Sequence, residues 1–198
     1  MRLPHLRPSA LDADQRALYD VLTTGQRRAV HDLLASPVHM TDDEGRLNGP
    51  FNAMLTHPKL GLALQEVSRQ LRFEGRLSAR TREIVILIVA ASEQSDFEWA
   101  AHASIAASVG VAEQEIAAIG AEVTIEFDDP IDEAAALLAR SLVYHGDVDD
   151  ETYMRVQHEL GDDGVFEVST TVGIYQLIAQ QLRLFRVPAP EGPWIKNT

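Results

Sequence analysis

The stretch LSARTREIVILIVAASEQSDFEWAAHASIAASVG, residues 77–110, decides how this chain folds. It contains the longest apolar run of the sequence, from Ile84 to Ala91, and the acid Glu83 stands directly before that run. The many β-branched residues would also suit a buried strand, but no turn signal flanks the run on either side. We therefore predict a helix that is buried on all sides.

A second predicted helix follows and carries further titratable groups. Ser95-x-x-Glu98 is a capping-box pattern, which opens a helix. Glu98 and His102 are four positions apart, so they share one face of this helix. The short link between the two helices makes them antiparallel neighbours, which could bring Glu83 close to His102. If they meet, Glu83 would orient the imidazole and favour its protonated form, and His102 could move a proton.

Each of these residues also has a structural interpretation, which stays open at this point. Glu98 is most simply the capping partner of Ser95. His102 would be a hydrogen-bonded core histidine, and Trp99 a core or interface residue instead of a platform for substrate. Glu83 is costly to bury without a partner, and its alternative is a salt bridge to a neighbouring arginine.

A cluster of basic residues is the second signal in a chain that is otherwise acidic. Five arginines fall in one stretch: Arg69, Arg72, Arg76, Arg80 and Arg82. This cluster could bind an anionic substrate near Glu83, and Arg72, Arg76 or Arg80 would hold its carboxylate. The alternative is a solvated or intersubunit face on which the arginines pair with the many acids. Residues 47–58 could line a pocket through Asn48, Asn52 or His57, each of which could equally be a cap or turn residue.

Composition excludes several classes of function. The 198 residues include 17 Lys and Arg against 30 Asp and Glu, so the net charge is −13, which disfavours nucleic acid and anionic membranes as partners. There is no cysteine, which excludes disulfides, thiolate metal sites and a cysteine nucleophile. The N-terminus has no apolar signal segment, and the run 84–91 is too short to span a bilayer. We expect a cytoplasmic protein.

The pattern along the chain predicts a single all-α domain over residues 1–198, with about eight helices and no convincing strand. Residues 1–8 would form an extended arm and residues 186–198 an extended tail. Ser9 would cap the first helix. The helical spacing of apolar residues that begins there continues through residues 29–34. Leu60, Leu64, Val67 and Leu71 are core candidates of a later helix, and a last long helix would start between Gly161 and Gly164.

The segments LSARTREIVILIVAA and FEWAAHASIAASVGVAEQEIAAI resemble the core of the carboxymuconolactone decarboxylase family, which includes the alkyl hydroperoxide reductase D-like (AhpD-like) peroxidases. The resemblance covers about residues 77–120. In the peroxidase branch an acid precedes a Cys-x-x-Cys-x-x-x-His element. Glu83 falls at the acid and His102 at the histidine, whereas Ser95 and Glu98 occupy the two cysteine positions. The thiol peroxidase mechanism is therefore impossible for this chain.

The resemblance also implies a fold, an assembly and a type of chemistry. The fold would be an AhpD-like helical bundle, and the assembly a homo-oligomer, often a trimer or a hexamer. The chemistry would be that of the decarboxylase branch, in which a lactone acid loses carbon dioxide without a cofactor, as part of aromatic catabolism.

Three hypotheses for function follow. The first is a cofactor-independent lyase or related acid–base enzyme acting on a small lactone or carboxylic acid, with His102 as the general acid/base, Glu83 as its orienting partner and Glu98 as a second proton carrier or a structural residue. The second is a non-catalytic oligomeric binding or scaffold protein that kept the fold. The third is a metal-dependent activity through Glu83, Glu98 and His102, although helical di-iron sites use Glu-x-x-His spacing instead.

Overall fold

A computed structural model describes residues 1–24 and 38–190 of the chain, and these residues form an all-α fold, as predicted. Within them lie eight α-helices, a 3-10 turn at Pro8–Ala10 and one isolated antiparallel bridge between Thr41 and Leu47. The helices are α1 Ala13–Thr23, α2 Gly49–Met54, α3 Pro58–Phe73, α4 Ala79–Ser92, α5 Asp96–Ser108, α6 Glu113–Gly120, α7 Pro130–His145 and α8 Asp150–Phe185. The helical continuation expected at 29–34 lies outside the described residues.

Helix α4 is the centre of the fold. It packs against α5, α6, α7 and α8, and every residue from Thr81 to Ala91 is buried. A helix that is apolar on all sides needs neighbours on all sides, and α4 has them. Its start is capped by Ser78, whose hydroxyl accepts a hydrogen bond from the Thr81 backbone N–H at 3.0 Å. The helix predicted from the apolar run is therefore confirmed.

Small residues allow the helices around α4 to approach closely. Helix α7 contributes four buried alanines to the core: Ala134, Ala135, Ala136 and Ala139. On α5, Trp99 fills the space beside α6, because a Cβ atom added to Gly120 would lie only 2.9 Å from the indole ring. This close packing fixes α5 relative to α4, and with it the side chains that the two helices share.

The N-terminal helices form a smaller apolar cluster of their own, around Leu18 and Leu22 of α1. The expectation that Ser9 caps α1 is wrong, because Ser9 lies in the 3-10 turn and the cap is Asp12. Asp12 accepts a hydrogen bond from the Gln15 backbone N–H at 2.8 Å, and Gln15 bonds back to the Asp12 N–H at 3.1 Å. This capping box satisfies two donors that a Ser9 cap would leave free.

Helix α3 differs in detail from the sequence prediction, whereas the helix start predicted between Gly161 and Gly164 agrees with a break in α8. In α3, Leu71 is buried, but Leu60 and Val67 are exposed, at 53% and 38% of their surface, so they are not core residues. Helix α3 is amphipathic, and these two side chains lie outside its buried face. In α8 the chain runs from Asp150 to Phe185 with a kink at Gly161, whose φ of +70° favours glycine. None of the described helices is long and apolar enough to cross a membrane.

Candidate proton-transfer site

The acid before the apolar run and the histidine of the next helix are in contact. Nδ1 of His102 on α5 lies 2.7 Å from Oε2 of Glu83 on α4, which is a short charge-assisted hydrogen bond. The side chain of Glu83 is 1% exposed, whereas that of His102 keeps 11% of its surface exposed. The Glu83 carboxylate is therefore buried, and the His102 imidazole is the more exposed member of the pair.

Two further side chains complete the surroundings of this pair. Arg72 at the end of α3 donates from Nη1 to Oε1 of Glu83 at 3.3 Å and from Nη2 to the Tyr175 hydroxyl at 3.4 Å. The ring of Tyr175 on α8 meets the His102 ring edge to face, at 5.2 Å between centroids and 86° between planes. Helices α3, α4, α5 and α8 thus each contribute one side chain to the site.

The charges around Glu83 keep it ionised despite its burial. Burial alone would raise the pKa of this carboxyl, but the hydrogen bond and charge of His102 and the charges of Arg72 and Arg82 outweigh burial and hold the pKa below its usual range. Burial raises the pKa of Tyr175, and the carboxyl groups of Glu83 and Glu98 add to the rise while Arg72 opposes it. The site therefore contains an anionic carboxylate beside a neutral phenol.

Glu98 carries a buried carboxyl group. Its side chain is nearly inaccessible, and within residues 1–24 and 38–190 neither of its oxygens has a hydrogen-bond partner. Burial raises its pKa to about 8, although the neighbouring Ser95 hydroxyl counteracts part of the rise. Glu98 is therefore protonated at neutral pH, and its charge influences Tyr175 when it ionises.

The predicted capping box between Ser95 and Glu98 does not form. Ser95 stands at the N-cap of α5, but its side chain makes no capping bond. The Ser95 backbone N–H, which Glu98 would have bonded, donates instead to the Ala90 carbonyl at the end of α4 at 2.9 Å. Because that donor is already satisfied, Glu98 has no role as a cap and its carboxyl group lies in the interior.

The other two arginines predicted to hold a carboxylate have partners elsewhere. Arg80 binds Asp132 and Glu115, each at 2.7 Å, and so ties α4 to α6 and α7. Arg76 is exposed and forms an ion pair with Asp163 on α8. Of the three candidates, the structure brings only Arg72 into contact with Glu83.

Asn52 and Trp99 also have contacts outside the group around Glu83. The Asn52 amide on α2 is buried and donates to the carbonyl of Pro4 in the N-terminal arm at 3.1 Å. Trp99 belongs to the core cluster and packs against Gly120. Both contacts are structural, and neither brings the side chain to His102.

Tyr175 is the site residue that the sequence did not reveal. It lies 73 positions after His102, within the long helix α8. A tyrosine at helical spacing there indicates only that the residue belongs to the core. Its position beside His102 depends on the packing of α8 against α4, which no local pattern encodes.

The described residues contain no group of three or more histidine or acidic side chains arranged to hold a metal ion. The hydrogen-bonded pair instead suits the transfer of a proton, since a histidine that is oriented by a buried carboxylate can accept and release one.

Known proteins resemble this chain in sequence and in fold. Residues 58–146 match the model of the carboxymuconolactone decarboxylase family. A peroxidase-related protein with an alkylhydroperoxidase AhpD core, from Ralstonia eutropha JMP134, superimposes with a TM-score of 0.70 at 15% identity, over 96% of this chain and 92% of its own. The debrominase Bmp8 in its apo form has a TM-score of 0.70 at 13% identity, over 98% of this chain and 94% of its own.

A third structure covers less of this chain. It is a protein of unknown function from Agrobacterium tumefaciens, described as a putative antioxidant defence protein AhpD, with a TM-score of 0.63 at 14% identity over 71% of this chain and 97% of its own. No curated protein matches the sequence. At these identities the structures show a shared AhpD-like fold. Residues 58–146, a little under half of this cysteine-free chain, are thus similar to the carboxymuconolactone decarboxylase family, and the fold is AhpD-like.

Proposed function

We propose that this chain is a cofactor-independent acid–base enzyme, and that it acts as a lyase of the carboxymuconolactone decarboxylase type on a small lactone or carboxylic acid. The observation that carries the proposal is the 2.7 Å hydrogen bond between His102 and the sealed carboxylate of Glu83 in a chain that has no cysteine. The side chains needed for proton transfer are present, whereas the cysteine needed for thiol chemistry is absent from the sequence.

In the proposed reaction His102 is the general acid/base and Glu83 is its positioning residue. When the carboxylate of the substrate leaves as carbon dioxide, the electron pair of the broken carbon–carbon bond stays on the lactone as a dienolate. His102 then delivers one proton to a carbon of this dienolate and recovers a proton from solvent. Glu83 fixes the orientation of the imidazole ring through the 2.7 Å hydrogen bond between its Oε2 and Nδ1 of His102.

Glu98 would act as a second proton carrier. It is one helical turn before His102 on α5 and holds a proton up to a pH of about 8. A neutral carboxyl group in an apolar position can pass its proton to a nearby base, so Glu98 would relay the proton that His102 recovers from solvent after the dienolate has been protonated. Tyr175 would hold the imidazole ring through the edge-to-face contact.

The proposal is tested by turnover of γ-carboxymuconolactone. The purified protein is incubated with this lactone, and loss of the substrate and release of carbon dioxide are followed together. We expect turnover by the wild type and a decrease in rate on the order of 10²–10⁴ for His102→Ala. Arg155→Met, at an exposed position of α8, is the matched control. Release of carbon dioxide at the same rate by His102→Ala would exclude His102 as the general acid/base.

A homo-oligomer is part of the proposal, and exposed apolar side chains support it. Phe166 and Met154 on α8 are 73% and 70% exposed, and a second copy of the chain that covered them would remove apolar surface from water. Light scattering on the purified protein should give the mass of a trimer or a hexamer.

A non-catalytic scaffold of the same fold is the second candidate function, because exposed apolar side chains would serve a scaffold equally well. We also propose a cytoplasmic location, since a chain without cysteine gains nothing from an oxidising compartment.

A further inference from the structure

Arg82 is a buried cation that the proton-transfer site does not explain. It directly precedes Glu83 on α4, and only 8% of its surface is exposed. Among the described residues, its one hydrogen bond runs from Nη1 to the Leu71 carbonyl at 3.3 Å, and none of them provides a partner for its Nε–H. No carboxylate of the described residues lies within ion-pair distance of this guanidinium.

The neighbouring charges do not compensate Arg82. Oε1 of Glu83 is bound by Arg72 and Oε2 by His102. Glu167 on α8 accepts hydrogen bonds from the backbone N–H groups of Arg76 and Leu77, at 2.7 and 3.3 Å. Burial and the positive charge of Arg72 lower the pKa of Arg82, and Glu83, Tyr175 and Glu167 only partly oppose this. An uncompensated buried charge lowers the stability of a protein by several kcal/mol, so an anion bound beside Arg82 would be stabilising.

Arg72 and Arg82 are neighbours because two consecutive residues of α3 contact two consecutive residues of α4. On α3, the Leu71 carbonyl accepts a hydrogen bond from the Arg82 guanidinium, and the next residue, Arg72, binds the Glu83 carboxylate. On α4, Arg82 and Glu83 are likewise consecutive. The guanidinium of Arg82 is thus held at the C-terminal end of α3, beside the pair of Glu83 and His102.

We propose that Arg82, together with Arg72, forms a binding site for one carboxylate group of a small substrate. This inference rests on the proposed function, since it assigns the group that holds the substrate near His102. A carboxylate is the anion that matches best, because the free Nε–H and the outer N–H groups of a guanidinium form a planar fork for two oxygens. The sequence placed Arg82 in the cluster of five arginines that could bind an anionic substrate, but named Arg72, Arg76 or Arg80 as the residue that holds its carboxylate.

The test measures binding without turnover, with acetate as the probe. The melting temperature of the wild-type protein is recorded while sodium acetate replaces sodium chloride at constant ionic strength, and acetamide serves as the uncharged probe of equal size. Once acetate exceeds its Kd several-fold, we expect a rise of about 2–4 °C. Acetamide should give no rise. Equal shifts with both probes, or no shift with acetate, would overturn the proposal without the need for any variant.

Variants then locate the site. Arg82→Met removes the charge at similar length and should abolish the acetate shift, and it should raise the melting temperature without acetate, because it removes a poorly compensated charge. Arg82→Lys keeps the charge without the fork and should weaken acetate binding at least tenfold. Arg155→Met, which is exposed on α8, should keep the full shift. An undiminished shift in both Arg82 variants would overturn the assignment.

The outcomes separate this inference from the proposed function. If acetate binds through Arg82 but γ-carboxymuconolactone is not turned over, the anion site stands and the decarboxylase reaction fails. If turnover occurs but acetate binding does not depend on Arg82, the reaction stands and the anion site fails. If acetate has no effect and Arg82→Met instead changes the mass of the assembly, a carboxylate of a second copy of this chain occupies the position, and the substrate site is excluded.

Discussion

The His102 imidazole and the Glu83 carboxylate are joined by a 2.7 Å hydrogen bond between the two central helices of the fold, α5 and α4. Nineteen positions separate the two residues in the chain, and they meet because α4 and α5 are antiparallel neighbours. The second oxygen of Glu83 contacts Arg72, so one buried carboxylate links three helices. This arrangement makes Glu83 both a structural and a functional residue.

Glu83→Gln should destabilise the protein strongly. The substitution keeps the shape of the side chain but leaves Arg72 without its carboxylate, and breaking a buried pair typically costs about 3–5 kcal/mol. Urea unfolding at pH 7 measures the loss. Glu126→Gln, at an exposed acid in the connector before α7, is the control and should change the free energy of unfolding by less than about 0.5 kcal/mol. Equal stability of the two variants would show that the buried pair contributes nothing.

The stabilisation by Glu83 should also depend on pH in a defined direction. The pKa of this carboxyl is lowered in the folded protein, so its contribution is fully present above the unfolded value of about 4.5. It is lost as the pH falls through the folded pKa. The difference in stability between the wild type and Glu83→Gln should therefore shrink on acidification below pH 4.5, and a constant difference would contradict the assignment.

Glu98 should make the protein less stable as the pH rises. The folded protein keeps this carboxyl protonated up to a pH of about 8, whereas the unfolded chain releases the proton near pH 4.5. Between these values the unfolded state binds fewer protons, so stability falls by up to about 1.4 kcal/mol per pH unit. Glu98→Gln, which cannot ionise, should be more stable than the wild type by on the order of 3 kcal/mol at pH 7.

Urea unfolding of Glu98→Gln and wild type between pH 4 and pH 8 tests this prediction. The two curves should meet near pH 4 and diverge with rising pH, while Glu126→Gln should run parallel to the wild type. Parallel curves for Glu98→Gln would mean that Glu98 ionises at the same pH in the folded and unfolded states.

Tyr175 should act through its ring more than through its hydroxyl. Tyr175→Phe keeps the edge-to-face contact with His102 and loses only the long 3.4 Å hydrogen bond from Arg72. We expect it to retain activity within about tenfold, whereas Tyr175→Ala leaves the imidazole unsupported and should lose at least tenfold more. The rates of both variants, measured with γ-carboxymuconolactone, decide between the two roles, and equal rates would argue against support by the ring.

Asp132 should be essential to the fold and not to the chemistry. This buried carboxylate binds Arg80 at 2.7 Å and the Thr81 hydroxyl at 2.6 Å. Asp132→Asn should lower the free energy of unfolding by about 3–5 kcal/mol. Asp128→Asn, which is exposed, should have little effect. An Asp132→Asn protein as stable as the wild type would contradict this structural role.

Local patterns in the sequence were sufficient for the central part of the fold. An apolar run without flanking turn signals predicted α4, and the spacing of Glu98 and His102 predicted a shared face on α5. The proximity of Glu83 and His102 followed from the short link between these helices. These features depend on contacts near in sequence, which hydrophobic period and loop length encode.

The failures of the sequence analysis involve contacts between distant segments. The capping box was wrong because the Ser95 N–H bonds to Ala90, and only the three-dimensional turn between α4 and α5 brings them together. Arg80 looked the same as Arg72 in the sequence, yet its partners on α6 and α7 could not be foreseen. Tyr175 was missed for the same reason, since α8 reaches His102 only through packing.

The most direct test of the account compares turnover of γ-carboxymuconolactone by the wild type, His102→Ala and Glu83→Gln, with the folded fraction of each protein confirmed beforehand. We predict that the wild type releases carbon dioxide, and that His102→Ala is slower by on the order of 10²–10⁴. Folded Glu83→Gln should also be slower, because the imidazole loses its anionic partner. Unchanged turnover by either folded variant would contradict proton transfer by the pair of Glu83 and His102.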